Sequence, residues 1–351
     1  MIKPIPGYVE GVSMYRQRGF FITVIVLSLL LTSCSSGEKT GSNTVTVWTY
    51  DSFDSEWGPG PEVKKRFEDE TGLTLNFVVH GDAGELLSRL LLEGDRADAD
   101  VILGLDQNML NRALSSGFFE PYTPEGFDRV FRELRVDSTN SLIPMDYSYF
   151  AFVYDSELLE NPPRSLEELT EERFAKKIIL LDPRTSSPGQ GFFAWTREVY
   201  GRDWPEYWRR LAPSILTIAG GWTSGYGLFT SREAPLVLSY TTSPGYHLEY
   251  ENTERYRAAI FSDGHPLQVE LAGLLRGAAN KENGKRFMDF MLSPAFQETL
   301  ALKNSMYPAI DIALPGSFRI NPKSDKPLLP DEVSSEELDA WARLMPELLT
   351  P

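Results

Sequence analysis

The chain has 351 residues, 42% of them hydrophobic, and a formal net charge of −16 at pH 7. That length supports two lobes with cores of their own, and the acidic balance argues against electrostatic binding to nucleic acid or anionic lipid headgroups. A single cysteine rules out internal disulfides and thiolate metal centres, and none of the pairs among His80, His247 and His265 has the spacing of a helical zinc site.

In chain order, Arg16 and Arg18 precede the apolar run from Phe20 to Ser33, which is short for a membrane span of about 20 apolar residues. A basic start, an apolar middle and small residues at the end form a signal peptide over 1–33. Leu31-Thr32-Ser33-Cys34 resembles a bacterial lipobox, which implies cleavage before Cys34 and a lipid on its thiol. Residues 34–43 are rich in Ser, Gly, Thr and Lys and read as a flexible tether.

Thr44–Tyr50 then reads as a strand. Pro61 opens a helix carrying Val63 and Phe67, and Gly72 closes it. Leu73–Val79 is the next strand. Leu86, Leu87, Leu90 and Leu91 mark a helix, and Asp100–Gly104 a short buried strand. This βαβαβ order predicts a parallel sheet with helices on its faces. A second unit starts near Tyr149–Tyr154. Ser165-Leu166-Glu167-Glu168 is a capping box. Strands follow at Lys177–Leu181, Ile215–Ala219, Leu236–Tyr240 and Pro266–Leu271, and the chain ends in helices near Gly284–Leu292, Pro294–Lys303 and Ser335–Leu349.

Ligands of open α/β sheets bind beyond the carboxyl ends of the strands. The loops there hold Asp51 to Trp57, His80-Gly81-Asp82, Asp182 to Gly189, Gly220 to Ser224 and Thr241 to His247. Aromatic rings, carboxylates and hydroxyls meet in them with little Lys or Arg. That mixture suits a planar organic cation, each cation–π contact contributing about 0.5–2 kcal/mol. His247 alone reads as a surface histidine, Asp106 as a helix cap and Asp146 as a polar group at a hinge. Arg184 is open between a phosphate contact and a salt bridge. Gly221-Trp222-Thr223-Ser224-Gly225 lacks the spacing of a nucleophile elbow, and no phosphate-binding P-loop pattern occurs, so the chain reads as no enzyme.

Several of these segments resemble the thiamine-binding proteins of bacterial ABC importers. They are Thr49–Phe53, Trp57–Pro61, Tyr149–Asp155, Asp182–Ser186, Leu238–Pro244 and Ser293–Gln297. The resemblance implies an α/β, two-lobed, type II periplasmic-binding-protein-like fold, with ligand in the cleft between lobes. It implies a first lobe from 44–148 and 268–351 and a second from 149–267, with the C-terminal helices returning to the first. It further implies a solute-binding lipoprotein that takes thiamine or thiamine phosphates outside the inner membrane and passes them to a permease and ATPase complex. No cofactor, metal or nucleic acid enters this scheme. Asp82 is implied as a ligand carboxylate, and Thr185 and Ser186 as hydroxyls around a phosphate. Trp222, Tyr240 and Tyr246 are implied as aromatic contacts, with Tyr50 and Trp57 in matching motifs. Ser305 stands where the family typically has Trp. A polyamine or ferric ion is the alternative cargo.

Overall fold

The computed structural model describes residues 43–349. The expected signal segment, the lipid-bearing Cys34 and the tether up to residue 42 lie outside them. The first strand, β1 (Thr44–Thr49), buries Val45 and Val47 while Thr44 and Thr46 stay half-buried, the period-2 pattern of a strand. Helix α1 (Gly60–Thr71) starts with Pro61 in its first turn and turns Val63 and Phe67 inward. It stops at Gly72, whose φ of 69° puts an N–H onto the Glu68 carbonyl. Strand β2 (Thr74–Val79), helix α2 (Ala83–Glu93) and strand β3 (Val101–Asp106) complete the βαβαβ unit, and β1 pairs in parallel with both β2 and β3. In α2, Leu86, Leu87 and Leu90 are buried, whereas Leu91 is exposed.

A short helix α3 (Leu110–Ser115) leads on to the longest strand, β4 (Ile143–Asp155). It begins six residues before the segment that the apolar pattern marks, because Pro144, Asp146 and Ser148 interrupt that pattern. The second unit then alternates β5 (Ile178–Leu181), α4 (Ser187–Tyr200), α5 (Trp204–Leu211), β6 (Ile215–Ala219), α6 (Trp222–Thr230), β7 (Leu236–Tyr240), α7 (Ser243–Glu251) and β8 (Tyr256–Ala259). Strand β9 (His265–Leu274) runs back beside β4. Helices α8 (Lys281–Met291) and α9 (Pro294–Thr299), the two-residue strands β10 (Tyr307–Pro308) and β11 (Pro327–Leu328), and α10 (Ser335–Leu349) follow. Half of the capping box at Ser165 forms, the Glu168 N–H donating to Ser165 Oγ at 3.1 Å over a 3₁₀ turn, while the Glu168 carboxylate accepts from the Arg164 N–H at 3.2 Å instead of from Ser165.

The strand order is β2-β1-β3-β9-β4-β7-β5-β6. Strand β4 joins two sheets. Ile143 to Tyr149 pair with β9, and Phe150 to Tyr154 pair with β7. Each sheet carries its own core. One contains Val47, Phe67, Leu103, Met145, Val269 and Phe287. The other contains Phe152, Leu180, Phe192, Trp195, Trp208 and Leu236. This is the two-lobed α/β architecture that the resemblance implies.

The last helix departs from the expected division. Residues up to Ile310 return to the first core, but Leu338, Trp341, Leu344 and Met345 of α10 join the second. Trp341 meets Trp208 edge-on at 5.8 Å, and Arg197 donates to Glu337 at 2.5 Å. Its apolar face finds an aromatic groove on α5 and stays there, so the chain ends on the lobe that it had left at β9.

Candidate functional site

Between the lobes lies a cavity of about 320 Å³. The strand ends supply its walls, as the α/β rule demands. From the first lobe come Tyr50, Trp57 and Asp82; from the second come Trp222, Tyr240 and Tyr246; Ser305 is part of the lining as well. Thr185 and Ser186 do not line it. Thr185 Oγ1 donates to the Gly220 carbonyl at 2.6 Å. Ser186 is buried, caps α4 through the Gly189 N–H, and hydrogen-bonds the Asp82 carboxylate from behind.

Rings meet across the cleft. Trp57 lies 6.0 Å from Trp222 and 6.3 Å from Tyr246, edge-on to the latter. Trp222 stacks on Tyr226 at 4.6 Å and 19°, and its indole N–H donates to Ser239 Oγ at 2.8 Å. Tyr240 stacks on Phe150. Tyr226 was not among the expected site residues, and neither was the chain of contacts behind it. Its hydroxyl meets His247 Nε2 at 2.8 Å, and His247 Nδ1 meets Glu251 at 2.8 Å. His247 is 1% exposed, so it is a buried member of the wall rather than a surface histidine. Burial pushes its pKa down. Arg184 forms a fork with Asp182, at 2.6 Å for its shortest contact, and lies over Trp341.

Asp82 joins the lobes. It caps α2 through the Ala83 N–H at 2.7 Å. The same carboxylate accepts from the Trp222 N–H at 2.9 Å and the Ser187 N–H at 3.5 Å, the first residues of α6 and α4. Three helix N-termini therefore point at one acid, the sign of charge that helix ends favour. Burial raises its pKa, and the N–H donors and the Ser186 hydroxyl oppose that shift. Nearby, Thr223 Oγ1 donates to Asp51 at 2.7 Å and the Glu85 N–H to the Thr185 carbonyl at 3.2 Å. Gly84 permits this approach, since a Cβ there would stand 2.6 Å from the Thr185 backbone. The cleft is thus closed by direct bonds between the lobes.

Two backbone features shape the rest. Gly104, at φ 101°, leaves room for the Tyr50 ring, which a Cβ would meet at 2.2 Å. Ser305 has φ 52° and is 6% exposed, at the end of a π-helical turn over Leu300–Asn304. A bulky side chain is strained in that left-handed conformation, and the small Ser305 fits it. Among the described residues, no group of three His, Cys, Asp or Glu is placed to hold a metal ion.

The model of the family described as bacterial extracellular solute-binding protein matches residues 98–334. The thiamine-binding periplasmic protein of Brucella suis biovar 1 (strain 1330) is 44% identical over 311 residues, covering 88% of this chain and 92% of that protein. Its namesake in Escherichia coli (strain K12) is 43% identical, covering 85% and 90%. A solved periplasmic thiamin binding protein superposes with a TM-score of 0.80 at 42% identity, covering 88% of this chain and 96% of that one. The apo ferric ion-binding protein A of Pasteurella haemolytica, at 17% identity and a TM-score of 0.70 over 87% and 98%, shares the fold alone. The chain belongs to the bacterial extracellular solute-binding proteins, in the group of the thiamine-binding periplasmic proteins.

Proposed function

We propose that this chain captures thiamine in the periplasm, between its lobes, and hands it to the permease and ATPase of an ABC importer. The observation that carries the reading is the aromatic enclosure of the cavity. Trp57, Trp222, Tyr226 and Tyr246 offer ring faces and edges on both sides of the cleft, and Asp82 and Glu270 stand on its lining. A flat cation gains from the faces and from the acids together. The site residues are Asp82, Trp222, Tyr240, Tyr246, Tyr50, Trp57 and Ser305, with Thr185 and Ser186 positioning the walls. Thiamine monophosphate is a second cargo, its phosphate turned towards Lys303, which lines the cavity and stands over the Tyr250 ring. The role is binding rather than catalysis, in line with the names of its relatives.

Titration calorimetry of the soluble domain with thiamine, spermidine and ferric ion tests the reading. Thiamine should bind at least about 100-fold more tightly than spermidine, equivalent to two good ring contacts at roughly 1–2 kcal/mol each. Equal affinity for spermidine would hand the cavity to a polyamine. The matches to the thiamine-binding relatives over most of the chain support thiamine over ferric ion, whose binders among the compared structures are only 16–18% identical.

We also assign Cys34 as the lipid anchor that holds the protein at a membrane of the cell envelope. Cys34→Ser leaves no thiol to modify, since the chain has one cysteine. The variant should move from the membrane pellet to the soluble fraction after a salt wash. A variant that still pellets is anchored by something else.

A further inference from the structure

The floor of the cavity carries a feature that its aromatic walls do not explain. Three acids stand side by side on three adjacent strands. In the register of the sheet, Glu270 on β9 faces both Asp106 on β3 and Asp146 on β4. Like charges directly opposite on neighbouring strands destabilise a sheet. Glu270 lines the cavity and is 6% exposed, while Asp106 and Asp146 are fully buried.

The hydrogen bonds around the row are specific. Tyr50 OH donates to Glu270 Oε2 at 2.9 Å and Gln268 to Oε1 at 3.2 Å. Asn304 Nδ2 bridges Asp146 Oδ2 and Tyr50 OH at 3.1 and 3.2 Å. Asp146 Oδ1 is buried without a hydrogen-bond partner, and Glu270, opposite it in the register, acts on Asp146 electrostatically. Two buried acids opposed on neighbouring strands, with no cation to pair them, favour holding one proton between the two groups. Among the described residues, none of the three acids forms an ion pair with Lys or Arg. Asp82, from the start of α2, adds to the negative side, and the Tyr240 phenol at the end of β7 faces the same acids and is held neutral by burial. Arg112 acts electrostatically on Asp106 from α3, and Lys303, on the cavity lining, stands over the Tyr250 ring. Burial accordingly raises all three acids, Asp106 to about 8.

We propose that this row is the counter-charge for the cargo, so that a ring cation entering the cavity displaces the proton shared by Glu270 and Asp146. The pair goes from carboxyl and carboxylate to two carboxylates. The proton leaves to solvent, and the positive charge of the ligand takes its place. Net charge within the cavity is conserved, which avoids stranding an isolated ion in a low dielectric. Glu270 thereby becomes a specificity residue, since a neutral ring of the same shape does not draw the proton out. The inference rests on the reading of the cavity as a thiamine site.

The test is a proton count. Thiamine is titrated calorimetrically at pH 7 in phosphate and in Tris, whose ionisation enthalpies differ. The difference in heat should correspond to about one proton released per thiamine bound. Glu270→Gln should bring that count close to zero and weaken binding roughly ten-fold. Asp146→Asn should do the same, and it serves if Glu270→Gln does not fold. Thiamine binding with buffer-independent heat overturns the proton exchange and leaves the thiamine reading intact. An unchanged count in a folded Glu270→Gln or Asp146→Asn variant overturns the assignment to the pair. Failure of the wild type to bind thiamine removes both readings.

Discussion

Replacing Asp82 by Ala should weaken thiamine binding by about 100-fold or more and lower the melting temperature of the ligand-free protein. The carboxylate serves three backbone donors from three helices. Loss of an N-cap alone costs about 0.5–2 kcal/mol. The N–H groups of Trp222 and Ser187 lose their acceptor across the cleft as well, and each buried donor left unpaired costs about 1–3 kcal/mol. These costs fall on the closed form, because two of the three donors come from the opposite lobe. Closure is therefore penalised more than folding.

Asp82→Asn separates the two effects. Asparagine caps helices about as well as aspartate, so the melting temperature should recover most of its loss. Binding should not recover. The amide presents an N–H₂ group to one of the donors that the carboxylate accepts from, and it lacks the charge that faces the cation. Calorimetry for affinity and differential scanning for stability read the two outcomes separately. An Asp82→Ala variant that binds thiamine as tightly as the wild type would remove Asp82 from both the latch and the site.

The residues of the latch were legible in the sequence, but not their arrangement. Asp82 follows a strand, and carboxylates after strands in α/β sheets face the ligand edge. That the Trp222 and Ser187 N–H groups share its oxygens depends on lobe closure, which no local pattern encodes. Strands β1 and β2 and the helix Ser335–Leu349 follow from alternation and helical spacing. The first half of β4 does not, because the buried polar residues Asp146 and Ser148 break its apolar pattern. Glu270 was hidden as well. It sits in a strand of apolar neighbours, and its meaning comes from Asp106 and Asp146, more than a hundred positions away in the chain. Sequence shows which residues lie on a strand, but only pairing shows which acids are opposed. The destination of α10 was lost in a similar way. Its amphipathic face needs an apolar surface, and either lobe offers one.

That opposition also sets how the free protein responds to pH. Asp106 is fully buried and its pKa is raised to about 8, with desolvation the largest cause and the Asn108 hydrogen bonds acting against it. An ordinary aspartate titrates near 3.8. Between those values the folded state holds a proton that the unfolded chain has released. Stability therefore falls as pH rises through this window, and the fall ends once Asp106 ionises in the folded state near pH 8. At pH 7 the accumulated cost is on the order of 4 kcal/mol. Asp106→Asn removes the titration and keeps an acceptor for the Asn108 N–H, which Asp106 now holds at 2.9 Å. In the absence of thiamine, the variant should melt several degrees above the wild type at pH 7.5 and show little advantage at pH 4. Differential scanning across that range checks it. A wild-type melting temperature that rises steadily from pH 5 to pH 8, with Asp106→Asn parallel to it, would mean that Asp106 is ionised in the fold. The shared proton of Glu270 and Asp146 persists in this variant, so its proton release on binding thiamine should stay near one.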